Sequence, residues 1–167
     1  MKVSNQGKIM TLIMNENKVN IRKANKGDVD RIHNLVQRAF SNYDTKGSNP
    51  ALNESLMDIE YDIRNNIVII LETEGKMLGS LRLDFEDGTV HLKRFSIDPD
   101  YQAKGIGTIL YQRAEEEVKK RNYNSIYLYA SLENEKVIRF YKKLGFKCIK
   151  SDRNNSYLRG LWIKKVK

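Results

Sequence analysis

Three strand-like runs follow one another between residues 67 and 97, joined only by short turns, and helical periodicity bounds them on both sides. Ile67-Val68-Ile69-Ile70-Leu71 is a continuous apolar run of strand length, and Glu74-Gly75-Lys76 turns it. Met77 to Phe85 returns, Glu86-Asp87-Gly88 turns again, and Thr89 to Ile97 alternates until Asp98-Pro99-Asp100 stops it. Strands joined this closely pair antiparallel, because a parallel partner needs a long crossover. Upstream, Val19 to Ala24 reads as a first strand, and Asp28 opens a helix with Val29, Ile32, Leu35, Val36 and Ala39-Phe40 at helical spacing. Residues 41–51 read as a polar loop, and Leu52 to Asn65 as a second helix with Leu56, Ile59 and Ile63 as its stripe. Downstream come a helix from Gly105 to Arg121, a strand from Ser125 to Tyr129 and a helix from Asn134 to Leu144 that Gly145 stops. Phe146 to Lys150 and Tyr157 to Lys164 then close as a strand pair around Asp152-Arg153-Asn154-Asn155. The order is β-α-α-β-β-β-α-β-α-β-β. It predicts an α/β fold with a mixed, mostly antiparallel central sheet of about seven strands, flanked by about four helices on both faces.

No repeat, low-complexity tract or Gly/Pro/Ser linker divides the 167 residues. Residues 18–167 therefore read as a single domain, and residues 1–17 as a flexible lead-in in which Met14 is an alternative start. No apolar run reaches membrane-span or signal-peptide length, so a cytoplasmic location is expected, with no membrane partner. The single cysteine, Cys148, excludes an internal disulfide and leaves too few thiols for structural zinc, and no metal is expected. Its place on a strand after Gly145 reads as a packed thiol. Charge is unevenly distributed. Residues 1–100 carry 14 basic and 15 acidic side chains, whereas residues 101–167 carry 16 and 6. A basic half attracts phosphate, on nucleic acid or on a small cofactor.

Two constellations carry chemistry. Gln102-Ala103-Lys104-Gly105-Ile106-Gly107-Thr108 lies between a strand and a helix. The first turn of a helix has unpaired N–H groups and a partial positive charge, and Gly105 and Gly107 remove side chains that would block a pyrophosphate. The pattern is neither GxxxxGK[ST] nor GxGxxG, so the triphosphatase and dinucleotide fingerprints are missing. The second constellation runs from Asn134 to Phe146. Asn134 suits an N-cap, Tyr141 lies two turns on along the same face, and Leu144-Gly145-Phe146 ends the helix and starts a strand.

A strand ending in Ile97-Asp98-Pro99, then Q-x-x-G-x-G opening a helix, then a strand, then N-x-x-V-x-x-F-Y-x-x-L-G-F resembles the GNAT superfamily of acetyl-CoA-dependent N-acetyltransferases. The resemblance covers about residues 19–164, including the strand order. It implies that acetyl-CoA is the co-substrate and that Phe95, Ser96 and Ile97 offer backbone groups to its pantetheine arm. It implies a pyrophosphate held by Gln102, Ala103, Lys104, Gly105, Ile106, Gly107 and Thr108, with Asn134 facing the pantetheine. The family often has Arg at the position of Gln102. By the same resemblance Tyr141 is the general acid that protonates departing CoA, a task suited to a phenol that keeps its proton at neutral pH. An amide near Phe95 would stabilise the oxyanion. Strand alternation puts His91, Lys93, Phe95 and Ile97 on one face, which makes His91 a candidate base for the attacking amine.

The expected reaction is direct attack of a primary amine on the thioester, through a tetrahedral intermediate. The acceptor would be a small molecule or a peptide. Residues 41–66 hold Asp44, Glu54, Asp58, Glu60 and Asp62 against Lys46 and Arg64, which favours a cationic acceptor. Two other readings stay open: a catalytically silent acyl-CoA sensor of the same fold, and a basic nucleic-acid-binding module. The latter lacks any recognisable nucleic-acid motif, so no nucleic acid is expected; a monomer or a homodimer is.

Overall fold

A computed structural model of the chain describes residues 19–41, 49–154 and 157–167. The expected lead-in at 1–17 lies outside these residues, as do the middle of the expected loop at 41–51 and the tip of the last hairpin. β1 (Val19–Lys23) leads to α1 (Val29–Ser41) and α2 (Leu56–Asn65). β2 (Ile67–Thr73), β3 (Lys76–Glu86) and β4 (Thr89–Ile97) follow as an antiparallel meander. α3 (Ile106–Lys120), β5 (Ser125–Ser131), α4 (Glu135–Lys143), β6 (Lys147–Asn154) and β7 (Tyr157–Lys165) complete the order. The strands make one sheet in the order β1-β2-β3-β4-β5-β7-β6, and β4–β5 is its parallel pair. No helix among the described residues is long and apolar enough to cross a membrane.

The sheet separates two cores. Ile67, Ile69 and Leu71 of β2 face α3, whose Leu110, Ala114 and Val118 are buried against them. Val68 and Ile70 face α1 and α2 and meet Ile32, Val36 and Ile59. The continuous apolar run of β2 thus serves both faces of a covered sheet. Two expected boundaries differ. The helix expected from Leu52 begins at Leu56, because Pro50–Asn53 forms a 3-10 turn and Ser55 then caps α2. Ser55 Oγ accepts from Asp58 N at 3.2 Å, and Asp58 Oδ2 accepts from Ser55 N at 2.8 Å, a reciprocal box that starts the helix there. The turn expected at Asp152–Asn155 also moves, since β6 stays paired with β7 out to Asn154↔Tyr157.

Strict alternation along β4 fails at one place that matters. Ser80 pairs with Ser96 but Arg82 pairs with Lys93, so Arg94 and Phe95 together oppose Leu81. Arg94 takes a left-handed φ of 52°, and Ser96 Oγ donates to the Arg94 carbonyl at 3.2 Å across the bulge. The bulge exchanges the faces. Val90 and Leu92 belong to the α3-side core, and so do Phe95 and Ile97. His91 and Lys93 point the other way, with Lys93 Nζ 3.2 Å from Asp62 of α2. The four residues expected on one face are therefore split in pairs between two.

The bulge is held from the α1–α2 side. Arg82, at 1% exposure, donates to Glu54 through Nη1 and Nη2 and to Asp62 Oδ2 at 2.8 Å. Glu54 also accepts from Arg94 Nε at 3.3 Å. Burial alone would raise the Asp62 pKa, but hydrogen bonds from Arg82 and Asn66 and the Lys93 charge hold it below the usual carboxylate range. Asp62→Ala leaves Arg82 buried with half its partners. It should cost about 3–5 kcal/mol and lower Tm by roughly 10 °C in thermal unfolding. An unchanged Tm would mean that the network carries no stability.

Candidate functional site

β4 and β5 pair only at Val90↔Ile126 and His91↔Tyr127. Beyond this rung β5 goes on pairing with β7 as far as Ser131↔Arg159, while β4 keeps only β3 as a partner. The β5-facing edge of β4 from Leu92 to Ile97 is thereby left without a strand. A sheet edge inside a domain presents unpaired N–H and C=O groups, and an extended ligand can satisfy them. Phe95, Ser96 and Ile97 lie on that edge.

The chain then enters the loop to α3. Asp98 is fully buried and fixes it: Asp98 Oδ1 accepts from Asp100 N at 3.0 Å, and the carboxylate takes Arg38 of α1 at 2.8 and 3.2 Å. Gln102 Nε2 donates to the Ile97 carbonyl at 3.3 Å and closes the loop on itself. Ala103 and Gly105 both take positive φ, 60° and 84°. Ser55 caps α2 and Asn134 caps α4 by side-chain hydrogen bonds, but at the start of α3 Gly105 supplies none. The cap residue offers no side chain to the first-turn amides at Ile106, Gly107 and Thr108, and an anion can serve in that place. Lys104 adds a cation, its Nζ 5.0 Å from the Tyr101 ring centre.

The two glycines differ in their reasons. A Cβ at Gly105 would meet nothing within 4 Å, so the approach there is open. A Cβ at Gly107 would lie 3.0 Å from Phe140 Cζ, so the packing of α3 on α4 already favours a glycine there.

Tyr141 lies on the α3 side of the sheet, 6.5 Å from Phe95 between ring centres and 5.8 Å from Phe146. Trp162, buried at 1%, is 6.4 Å from it. Asn134 Oδ1 accepts from the amides of Lys136 and Val137, 3.1 and 3.3 Å, which confirms the cap. His91 occupies the last paired rung on the opposite face. It stacks on Tyr127 at 4.5 Å and 9°, and its Nδ1 is 4.0 Å from Glu86 Oε1. The structure thus puts Tyr141 and His91 on opposite faces at the point where the strands part.

One expectation is corrected. Cys148 is exposed rather than packed, because β6 is an edge strand and its side chains are open to solvent along most of its length. Among the described residues of 41–66, each carboxylate has a partner within the chain. Glu54 and Asp62 are bound by Arg82, Asp58 is spent on the Ser55 box, and Glu60 faces Lys26 at 3.4 Å. Asp44 and Lys46 lie outside the described residues. Glu54 and Asp62 are thus charge-paired inside the fold, whereas Asp58 and Glu60 lie nearer the surface. Sequence reasoning also missed Arg38, Arg82, Tyr127 and Tyr129. Asp98 was legible only as a strand stop, and nothing local in the sequence pairs it with a helix 60 residues upstream.

A sequence profile of the Acetyltransferase (GNAT) family matches residues 29–146. The chain belongs to this family. An uncharacterized N-acetyltransferase of Methanocaldococcus jannaschii is 33% identical over 84 residues, 46% of this chain and 37% of the relative. Mycothiol acetyltransferase of Actinosynnema mirum is 27% identical over 130 residues, 75% of this chain and 43% of the relative. The chain spans less than half the length of these curated relatives. Among solved structures, the PaiA N-acetyltransferase of Thermoplasma acidophilum, in complex with coenzyme A, superposes with a TM-score of 0.78 at 22% identity. The match covers 89% of this chain and 99% of that one. The Escherichia coli ribosomal-protein-S18-alanine N-acetyltransferase gives 0.75 at 21% identity, over 88% and 93%. At these identities the likeness concerns the fold.

In this GNAT chain, burial is the largest influence on His91 and holds its pKa below 6.5; Lys93 and Arg94 act the same way, and Glu86 and Asp84 oppose them. Above that pH the ring is neutral in both the folded and the unfolded chain and adds no pH dependence. Below it the unfolded chain binds a proton that the folded one resists, so stability falls with acid. Replacing His91 with Gln removes this contribution. The Tm lost between about pH 7.5 and about pH 5 should be smaller in His91→Gln than in the wild type. Equal losses would mean that the ring titrates alike in both states.

Proposed function

We propose that the chain, acting as one domain over residues 18–167, transfers the acetyl group of acetyl-CoA to a primary amine. The observation that carries this reading is the strandless edge of β4 running directly into an uncapped helix N-terminus. Acetyl-CoA has the complementary chemistry: an amide-bearing pantetheine arm that can pair with Phe95, Ser96 and Ile97, and a pyrophosphate that can cap α3. Gln102 is engaged with the Ile97 carbonyl, so the loop amides and Lys104 carry the anion. Asn134 gives its Oδ1 to the α4 amides, which leaves its Nδ2 to face the pantetheine. The coenzyme A held by the PaiA relative supports the same assignment.

The two faces divide the chemistry. The neutral amine approaches from the α1–α2 side and attacks the thioester carbonyl, giving a tetrahedral intermediate. An amide at the bulge near Phe95 donates to the developing oxyanion. The C–S bond breaks on the α3 side, where Tyr141 protonates the thiolate. His91, kept neutral by its burial, accepts the amine proton directly or through water. Holding both reactants at the parting of two strands supplies much of the rate as orientation.

Ala103 is exposed and already in the left-handed region, where Asp is well tolerated, so Ala103→Asp brings a carboxylate to the loop without backbone strain. Its Kd for coenzyme A by titration calorimetry should rise about tenfold, the effect of one like charge within a few ångströms in water. An unchanged Kd would move the pyrophosphate elsewhere. Tyr141→Phe should keep that Kd and lower kcat roughly ten- to a thousandfold, as loss of a general acid does. Coenzyme A binding with no turnover on any amine would instead favour an acyl-CoA sensor.

A further inference from the structure

The helices on the α1–α2 face cover β2 to β4, but the face of β5, β7 and β6 on that side carries exposed apolar side chains. Tyr127 and Tyr129 of β5, Leu161 and Ile163 of β7 and Ile149 of β6 form an open cleft of about 360 Å³ there, floored at one end by Thr89 and Ser125. Tyr129 is 43% exposed and Ile149 60%. The next residues along β5 and β7, Ile126, Leu128 and Trp162, are buried in the opposite core. The alternation therefore spends apolar residues on both faces, although among the described residues only strands line this one. The lining combines apolar side chains with aromatic rings on an open face.

The cleft is continuous with the candidate site. Tyr127 lies in its wall and also stacks on His91 at the last rung before β4 and β5 part. Tyr129 is one step further along the diverging strand, edge-on to Tyr127 at 6.1 Å and 89° and to His91 at 6.0 Å. An amine placed at the divergence on this face would lay the rest of its molecule against these rings.

The charges around the cleft argue against a polycation. Arg159 holds its guanidinium 4.2 Å from the Tyr129 ring centre and is paired with Asp152 at 2.7 Å. Lys93 and Arg94 stand on the β4 side, and the carboxylates near them, Glu54, Asp62 and Asp84, are bound by Arg82, Arg94 or Lys93. Glu86, which accepts from the Tyr127 hydroxyl at 2.8 and 2.9 Å, is the acidic side chain nearest His91. Branched aliphatic side chains and ring edges offer apolar surface to a bound group, and the Tyr129 face is already taken by Arg159.

We propose that this sheet face binds the body of the acceptor, and that the acceptor is a small primary amine carrying an aromatic or branched apolar group, not a polyamine. The inference rests on the acetyl-transfer reading. In the step itself the amine nitrogen bonds to the acetyl carbon, the C–S bond breaks, and the proton lost by nitrogen is balanced by the one gained by the leaving sulfur. The products are the N-acetyl amine and coenzyme A thiol.

The test begins with acetyl-CoA binding by calorimetry, then compares phenethylamine, isoamylamine, ethanolamine and spermidine as acceptors in a thiol-release assay. Phenethylamine and isoamylamine should exceed ethanolamine and spermidine in kcat/KM by at least about tenfold, the discrimination an apolar pocket gives for a few carbon atoms. Ile149 is exposed, so Ile149→Asp should fold normally; it should raise KM for phenethylamine about tenfold and leave KM for acetyl-CoA as it was. Equal or better use of spermidine, or an unmoved phenethylamine KM in Ile149→Asp, overturns the inference while leaving acetyl transfer standing. A dimer that forms through this face, seen by light scattering and dissolved by Ile149→Asp, also overturns it. No transfer to any amine overturns the acetyl-transfer reading and the inference with it.

Discussion

Arg82 lies almost fully buried in the middle of β3, where a guanidinium is tolerable only if carboxylates meet it. Glu54 and Asp62 do so, and they come from the connector and the helix that lie over the sheet. Glu54 also reaches Arg94, and Asp62 reaches Lys93, so one buried cation fixes two carboxylates that fix two residues of β4. Lys93 immediately precedes the bulge and Arg94 is its first residue. Such a network adds little net stability compared with an apolar core of the same volume, but loss of one member leaves a charge stranded. Its value here is geometric. It sets where β4 changes face, and the functional geometry follows from that change.

Without the bulge, Phe95 and Ile97 would face α1 and α2 together with His91, and the α3-side core would lose both. With it, the strand presents an imidazole to one side and a phenylalanine beside Tyr141 to the other. A reaction in which a nucleophile arrives and a leaving group departs in opposite directions suits a sheet that can be entered from both faces. The break in β4–β5 pairing after His91↔Tyr127 provides that opening. Arg38 on Asp98 ties the end of β4 to α1, so the loop that follows is set against the same frame as the bulge.

The order of elements was legible because each carries its own period. β2 reads as a strand from five consecutive apolar residues, and α3 from its spaced stripe and its glycine start. The capping box at Ser55 was equally local, yet Leu52 extended the apparent stripe across it. The bulge was not legible, since alternation is a rule of regular pairing and Arg94 gives no sign of a left-handed φ. The ion pairs were not legible either. Sequence charge counts treat Glu54 and Asp62 as open carboxylates, whereas their partners are 28 and 20 residues away. Tyr127 and Tyr129 read as plain strand residues because nothing local says that, among the described residues, no helix lies over them.

Gly105 and Gly107 show how one motif can contain two unrelated constraints. Gly105 sits in open space with a backbone that side chains resist, whereas Gly107 allows Phe140 of α4 to rest against α3 and Ile97. Phe140 in turn packs on Phe95 and on Tyr141, edge to face at 5.5 and 5.3 Å. The second glycine therefore acts on the candidate acid through aromatic packing, from a position that sequence reasoning assigns to phosphate. An added methyl at Gly107 would push Phe140 by a few tenths of an ångström, and Tyr141 shares that ring contact. The start of α3 and the candidate acid thus share one aromatic cluster through Phe140.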